Sequence, residues 1–254
     1  MENERLLVLG TNIHVTDYDG AIQTILRWIK RKESTFVCFV NAYALMSYQR
    51  DMRLLKGVNT AGLIVCDGMP LVWLGRLYGK MTTRVYGTTL VRKLCERAVA
   101  RHLTIFLLGG QQGQSKDILS ALMRLYPGIA IVGVWETPDR PISISDNRRI
   151  IRDIWLTRPD IILIGLGCPH QERWILANRH RLPPAVCMGV GSTFDFISGW
   201  KKEAPLWMQM SGTEWIYRFI QEPRRLWYRY TVMNAQFVWR IAKQFVHDMF
   251  SGVL

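Results

Sequence analysis

Several features that would place this chain quickly are scarce or missing. Cysteine is scarce: Cys38, Cys66, Cys95, Cys168 and Cys187 are odd in number, far apart and never in a C-x-x-C pair. That argues against a disulfide framework and a zinc site, and favours a reducing compartment. No stretch reaches the ~18 uninterrupted apolar residues of a membrane-crossing helix. The start, MENERLLVLG, carries acidic residues and no long apolar core, so it does not read as a signal peptide. Any membrane contact is expected to be peripheral. There is no Gly-Lys-Ser/Thr, hence no Walker loop. No His/Cys/Asp cluster has ligand spacing, and the one Asp-x-Asp, Asp17 to Asp19, opens an expected helix where capping explains it, so no metal and no cofactor are expected. Acidic residues are few, 20 against 33 basic, giving +13 and a pI near 9.8. Such a field attracts polyanions, whether nucleic acid, anionic head groups or diphosphates, without choosing among them.

What is present reads as globular: 49% hydrophobic and 21% charged over 254 residues, enough for one large domain or a domain with an appendage. Short β-branched runs alternate with helical patterns. Leu6–Leu9 and Ile13–Val15 suggest a strand pair around Gly10. Strands are expected at Thr35–Val40, Leu63–Cys66, Thr104–Leu108, Ile129–Trp135, Ile161–Gly165 and Ala185–Val190. Helices are expected at Tyr18–Lys32 behind Asp17, and at Ala44–Leu55, Gln114–Leu125, Asp146–Thr157 and Gln171–Asn178. The alternation implies an α/β fold, a mostly parallel sheet with helices on both faces. Ligands of such sheets bind beyond the carboxyl ends of the strands. There stand Asn41, Asp67, Gly109-Gly110, the loop 167–171 and the stretch 191–195.

After Gly199 the character changes. Residues 200–254 hold Trp200, Trp207, Trp215, Trp227 and Trp239, half of the ten tryptophans, interleaved with Arg and Lys in a helical pattern broken at Pro205 and Pro223. The division expected is a core, 1–199, and a helical appendage, 200–254. Aromatics among cations suit an anionic membrane surface. The same composition also serves as a nucleic-acid stacking platform, or the tryptophans pack on the core.

The single constellations are ambiguous one by one. Gly109-Gly110-Gln-Gln-Gly113 opens a helix after a strand, which suits either a diphosphate or a tight turn. Asp67 at a strand end is a candidate general base or a helix cap. Gln171 offers donor and acceptor to a hydroxyl, Glu172 reads as first-turn helix charge, and His170 as an exposed loop residue. Asp195 is either a ligand for sugar hydroxyls or an ion-pair partner. Arg84 gains interest only if it converges on the strand ends, where a guanidinium grips a diphosphate.

Taken in order, VNAYAL (40–45), VCDGMPLVW (65–73), RVYGTTL (84–90), FLLGG (106–110), GLGCPHQERWI (165–175), GVGSTFDFISG (189–199) and EAPLWMQMSGTEWIYRFIQEPRRLWYRY (203–230) resemble the WecG/TagA/CpsF family of bacterial glycosyltransferases. The resemblance implies a Rossmann-like core with a C-terminal appendage that completes the site and touches the membrane. It implies an inverting, metal-independent transfer from a UDP-sugar to a polyprenyl-diphosphate-linked saccharide at the cytoplasmic face of the cell membrane. By the same resemblance the base falls on Asp67 with Asn41 beside it, diphosphate binding on Arg84, the donor pocket on Gln171 and Asp195, and the appendage cations on Arg218, Arg224 and Arg225. N-acetylmannosamine is the family's familiar donor sugar, hexoses such as glucose serving exopolysaccharide branches.

This chain departs from the family's usual residues at Phe39, Ala42, Cys168, His170, Ser192 and Thr193, so the reaction class is better indicated than the sugar. A homo-oligomer is compatible with this reading. Two readings from other classes compete with this one. One is a basic nucleic-acid-binding module, although no such motif occurs elsewhere. The other is a dinucleotide-dependent oxidoreductase, although GGQQG lacks the G-x-G-x-x-G spacing.

Overall fold

The computed structural model describes residues 4–80, 83–138 and 141–251. Strands β1 (Arg5–Val8) and β2 (Thr11–His14) form an antiparallel hairpin. Its turn, Leu9-Gly10, has φ of 46° and 74°, the doubly positive geometry whose twist matches a two-residue hairpin. Helix α1 (Tyr18–Lys30) starts where the Asp17 carboxylate accepts from Gly20 N at 2.8 Å. It buries Ala21, Ile22, Ile25 and Ile29, a stripe at helical spacing. Strand β3 (Thr35–Val40) follows, then α2 (Ala42–Gln49) and α3 (Met52–Val58). The single helix expected over 44–55 is therefore broken. Asp51 takes the N–H groups of Arg53 and Leu54 and caps a second helix, the local competition that short acidic side chains offer a helix backbone.

Next come β4 (Leu63–Cys66), α4 (Met69–Leu77), α5 (Gly87–Ala100), β5 (Thr104–Gly109), α6 (Ser115–Leu125) and β6 (Ala130–Trp135). Helix α7 (Ile144–Thr157) opens on a capping box between Ser143 and Asp146. It is followed by β7 (Ile161–Gly165), α8 (His170–Asn178), β8 (Val186–Gly189) and α9 (Thr193–Ile197). The six strands β4-β3-β8-β7-β5-β6 form one parallel sheet, and helices cover both faces, as expected for a Rossmann-like α/β fold. Alternate residues of β3 divide between the two core layers. Phe36, Cys38 and Val40 join α2, α3, α7 and α8, whereas Val37 and Phe39 join α1, α5 and α6. The hairpin covers the β4 edge: His14 Nδ1 accepts from Ile64 N at 3.0 Å, and burial lowers the imidazole's pKa to about 4, so it stays a neutral acceptor.

The C-terminal helices are α10 (Leu206–Met210), α11 (Glu214–Gln221), α12 (Pro223–Tyr228), one π-helical turn over Arg229–Met233, and α13 (Asn234–Phe250). They dock through Leu226, Met233 and Phe237, all within 5% exposure, the last two as part of the α2–α3 core layer. Each such apolar side chain contributes about 1.5–3 kcal/mol when fully buried. The tryptophans do not supply this packing. Trp200, Trp207, Trp215, Trp227 and Trp239 stay 43–66% exposed, which corrects the reading that they belong to the core. Among the described residues no helix is long and apolar enough to cross a membrane.

Candidate active site

Strands β3 and β4 are neighbours in register, Val40 opposite Cys66, and Asp67 N extends the ladder to Val40 O at 2.8 Å. The next residue of each strand therefore emerges beside the other. Asn41 Nδ2 donates to Asp67 Oδ2 at 3.4 Å, while its Oδ1 caps α2 by accepting from Ala44 N at 3.1 Å. The other carboxylate oxygen, Asp67 Oδ1, accepts from Gly87 N at 3.0 Å. Gly87 opens α5, so the carboxylate lies at the positive end of a helix dipole.

Asn41 and Asp67 form a wall between two cavities. The larger, about 330 Å³, runs over the ends of β3, β7 and β8 along Gly167, Gly189 to Thr193, and Thr88. The smaller, about 110 Å³, is bounded by Met69, Pro70, Gly212 and Trp215. Tyr43, Arg218, Arg229 and Tyr230 line both. A carboxylate thus stands where two ligands meet, under a cationic roof from the C-terminal helices.

The arginines differ in how far they are already engaged. Arg84 borders the smaller cavity, and its guanidinium is held at three points: Nε to the Asp67 carbonyl at 2.6 Å, Nη1 to the Gln209 carbonyl at 3.0 Å, and Nη2 to the Glu214 carboxylate. Arg218 pairs with the same carboxylate at 2.7 Å. Arg225 borders the larger cavity and pairs with Glu222. Arg224 is exposed and borders neither cavity. Arg229 is different. It has no carboxylate partner among the described residues, its Nε is buried without a hydrogen bond, and its guanidinium lies 4.3 Å from the Tyr43 ring centre. Burial, with the nearby Arg218 charge adding to it, weighs against the charged form and lowers its pKa. Among the cations of the 200–254 stretch, nothing in the sequence singles out Arg229 as a site residue. Its one local signal is that it stands four residues after Arg225, a spacing that shares a face within one helix, but the breaks at Pro223 and at the π-helical turn interrupt the helical phase of the stretch.

The remaining expected residues sit as follows. Gln171 borders the larger cavity but is 3% exposed. Its Nε2 donates to Glu172 Oε1 (2.9 Å) and the Gly189 carbonyl (2.8 Å), and its Oε1 accepts from Gly191 N (2.9 Å). The amide therefore shapes the glycine turn after β8. Asp195 borders neither cavity. It accepts from Gln111 and Gln114 and pairs with Lys201 at 2.8 Å. Gly109 and Gly110 also lie away from both cavities, with φ of 116° and 85°. A Cβ on Gly109 would come within 2.7 Å of the Gly165 carbonyl carbon, so glycine is needed for the close approach of β5 to β7. The start of α6, where a phosphate would sit, is filled from within: Glu136 accepts from Gly113 N and Ser115 N at 3.1 and 2.6 Å. That internal anion removes the structural support for a dinucleotide site there.

Glu172 stands in the first turn of α8, as expected, but not as a solvated charge. It is fully buried, Oε2 has no hydrogen-bond partner, and burial pushes its pKa up to about 7 beside the buried Tyr48 hydroxyl and the half-buried Cys168 thiol. His170 is exposed. Among the described residues no three His, Cys, Asp or Glu side chains are grouped as metal ligands. The expected Asp17 and Asp19 stand exposed at the start of α1.

Comparison with known proteins adds to this geometry. The model of the "Glycosyl transferase WecG/TagA/CpsF family" matches residues 6–249. Similar proteins include the N-acetylglucosaminyldiphosphoundecaprenol N-acetyl-beta-D-mannosaminyltransferases of Bacillus subtilis (strain 168) and Staphylococcus aureus (strain MW2). The first is 30% identical over 78% of this chain and 76% of its own length. The second is 30% identical over 86% of this chain and 85% of its own length.

Proposed function

Because the chain belongs to the WecG/TagA/CpsF family of glycosyl transferases, we propose that it moves a sugar from a UDP-sugar to a saccharide on polyprenyl diphosphate, with inversion and without a metal. The reading places this step in the synthesis of a cell-surface polysaccharide, at the inner face of the membrane. The observation that carries it is the Asn41–Asp67 pair set between two cavities beneath Arg218 and Arg229.

In this reading the donor occupies the larger cavity, whose backbone glycines, hydroxyls and arginines suit a nucleotide diphosphate. The acceptor sugar enters the smaller one beside Met69, Pro70 and Trp215. Asp67 takes the proton of the acceptor hydroxyl, the oxygen attacks the anomeric carbon, and the bond to the nucleoside diphosphate breaks on the opposite face. Negative charge grows on the departing diphosphate. Arg229, a wall cation with no carboxylate partner among the described residues, is the first candidate to receive it, with Arg218 and Arg225 beside it. Arg84 acts from the smaller cavity, and Gln171 forms the floor through the Gly189–Gly191 turn. Gly109, Gly110, Asp195 and Arg224 contribute from outside the cavities, Arg224 through an anionic lipid surface. Residues 1–199 then form the catalytic core and 200–254 the appendage that covers it.

The sugar is N-acetylmannosamine, the one named for the relatives, or a hexose such as glucose. A screen of UDP-sugars against lipid-diphosphate-linked acceptors, in excess chelator, tests the whole reading. UDP release coupled to glycolipid formation is the expected result. No transfer with any donor and no UDP binding would overturn it.

A further inference from the structure

The contacts around Asp67 close into a ring. Its carbonyl accepts from Arg84 Nε at 2.6 Å, and Arg84 Nη2 bonds Glu214 Oε2. Glu214 Oε1 pairs with Arg218 Nη2 at 2.7 Å, and that nitrogen also donates to the Tyr86 hydroxyl at 3.2 Å. The residue after Tyr86 is Gly87, whose N–H holds Asp67 Oδ1 at 3.0 Å. The ring leaves the base through its backbone and returns to it through its carboxylate. Two guanidiniums lie in it, one from the loop before α5 and one from α11, and a single carboxylate joins them. Glu214 is that carboxylate, with its side chain 12% exposed.

We infer that Glu214 is a positioning residue for the transfer: by bridging Arg84 and Arg218 it fixes the base against the helices that roof the site. The inference rests on the function proposed above. Without the bridging charge two cations face each other across one wall, and the fork of Arg84 loses the partner that orients it. The Asp67 backbone then loses one end of its tether, while the larger cavity keeps its glycine floor, Arg225 and Arg229, and Arg218 keeps its bond to the Tyr86 hydroxyl. The expected consequence is a slower reaction at nearly unchanged donor binding. A buried ion pair that serves only stability would behave otherwise, lowering the thermal midpoint while each folded molecule works normally.

The test is steady-state transfer by Glu214→Gln and Glu214→Asp beside the parent protein, with UDP binding by calorimetry. Glu214→Gln should lower kcat roughly 10- to 100-fold, the scale of a small misplacement of a catalytic group, with donor KM and UDP affinity within about threefold. Glu214→Asp keeps the charge and should recover part of kcat. If Glu214→Gln does not fold, Glu214→Asp supplies the comparison, and its kcat must fall further than its KM changes. A kcat per folded molecule within about twofold of the parent, or a loss confined to KM, overturns the inference. A parent protein that transfers no sugar overturns the proposed function, whereas a parent and variants that transfer equally well overturn this inference alone.

Discussion

Arg229 allows a prediction in which stability and activity separate. In the free protein its Nε is buried and unpartnered, with no carboxylate paired to the guanidinium among the described residues. A buried donor without a partner costs about 1–3 kcal/mol. Stacking over Tyr43 returns about 0.5–2 kcal/mol. The two nearly cancel, so Arg229→Met, which keeps the bulk and discards the charge, should leave the thermal midpoint within roughly 4 °C of the parent. Activity should not be spared. A hydrogen bond between a guanidinium and a diphosphate is worth about 1.5–3 kcal/mol, because both partners are charged. Losing it should weaken UDP binding and kcat/KM by about 10- to 100-fold. Differential scanning fluorimetry reads the first quantity, and calorimetry with UDP followed by steady-state transfer reads the second. UDP affinity unchanged in a folded Arg229→Met protein would refute the assignment. A large fall in the midpoint would refute the balance drawn between desolvation and stacking.

Other outcomes follow from the same geometry. Asp67→Asn should lower turnover by roughly 10²-fold or more with the fold intact, as for the loss of a general base, and near-normal turnover would remove Asp67 from that role. Leu206, Trp207, Met210 and Ile220 are 66–76% exposed on the C-terminal helices. Replacing Trp207, Met210 and Ile220 together with Ala should reduce flotation with anionic vesicles about tenfold or more, at about 1.5–3 kcal/mol per fully inserted apolar side chain, and leave the thermal midpoint unchanged. Equal flotation would show that this face does not meet lipid. Glu172 has its folded pKa raised from 4.5 to about 7 by burial. The folded state therefore holds the proton more tightly, and the associated stability is present at low pH and lost as pH rises from about 4.5 through 7. Glu172→Gln should flatten that part of the stability–pH curve, read by denaturant unfolding at pH 5 and pH 8, and an unchanged slope would contradict it.

The strands were legible because each is a short β-branched run ending in glycine or a polar residue, and a parallel sheet leaves such runs little other use. Asn41 and Asp67 were legible for the same reason, since strand ends of this architecture converge on one edge. Helix α5 was not, because it begins at Gly87 with no side-chain cap to announce it. Neither was α9, which has only five residues. The role of a polar residue near the site was harder still. Gln171 and Asp195 have the composition of ligand-binding residues, yet Gln171 bonds Glu172, Gly189 and Gly191, and Asp195 bonds Gln111, Gln114 and Lys201. Whether a side chain spends its hydrogen bonds inward or toward a cavity depends on neighbours far away in sequence. Arg229 was hidden for a related reason. It is one of several arginines in the stretch, and Pro223 together with the π-helical turn shifts the helical phase that would have set it apart.

Asn41 does two jobs with one amide: its oxygen caps α2 and its nitrogen reaches Asp67 Oδ2 at 3.4 Å. Only a group with an acceptor on one side and a donor on the other can do both. Aspartate, serviceable as a cap, would place two carboxylates in contact. Like charges that close resist joint ionisation, so the pair would hold one proton between them well above the usual carboxylate range. The residue meant to accept a proton from the acceptor sugar would then already carry one for much of the time. A change of one nitrogen for one oxygen, silent to the helix, would turn the site into an acid dyad, the arrangement suited to sharing a proton and unsuited to taking one.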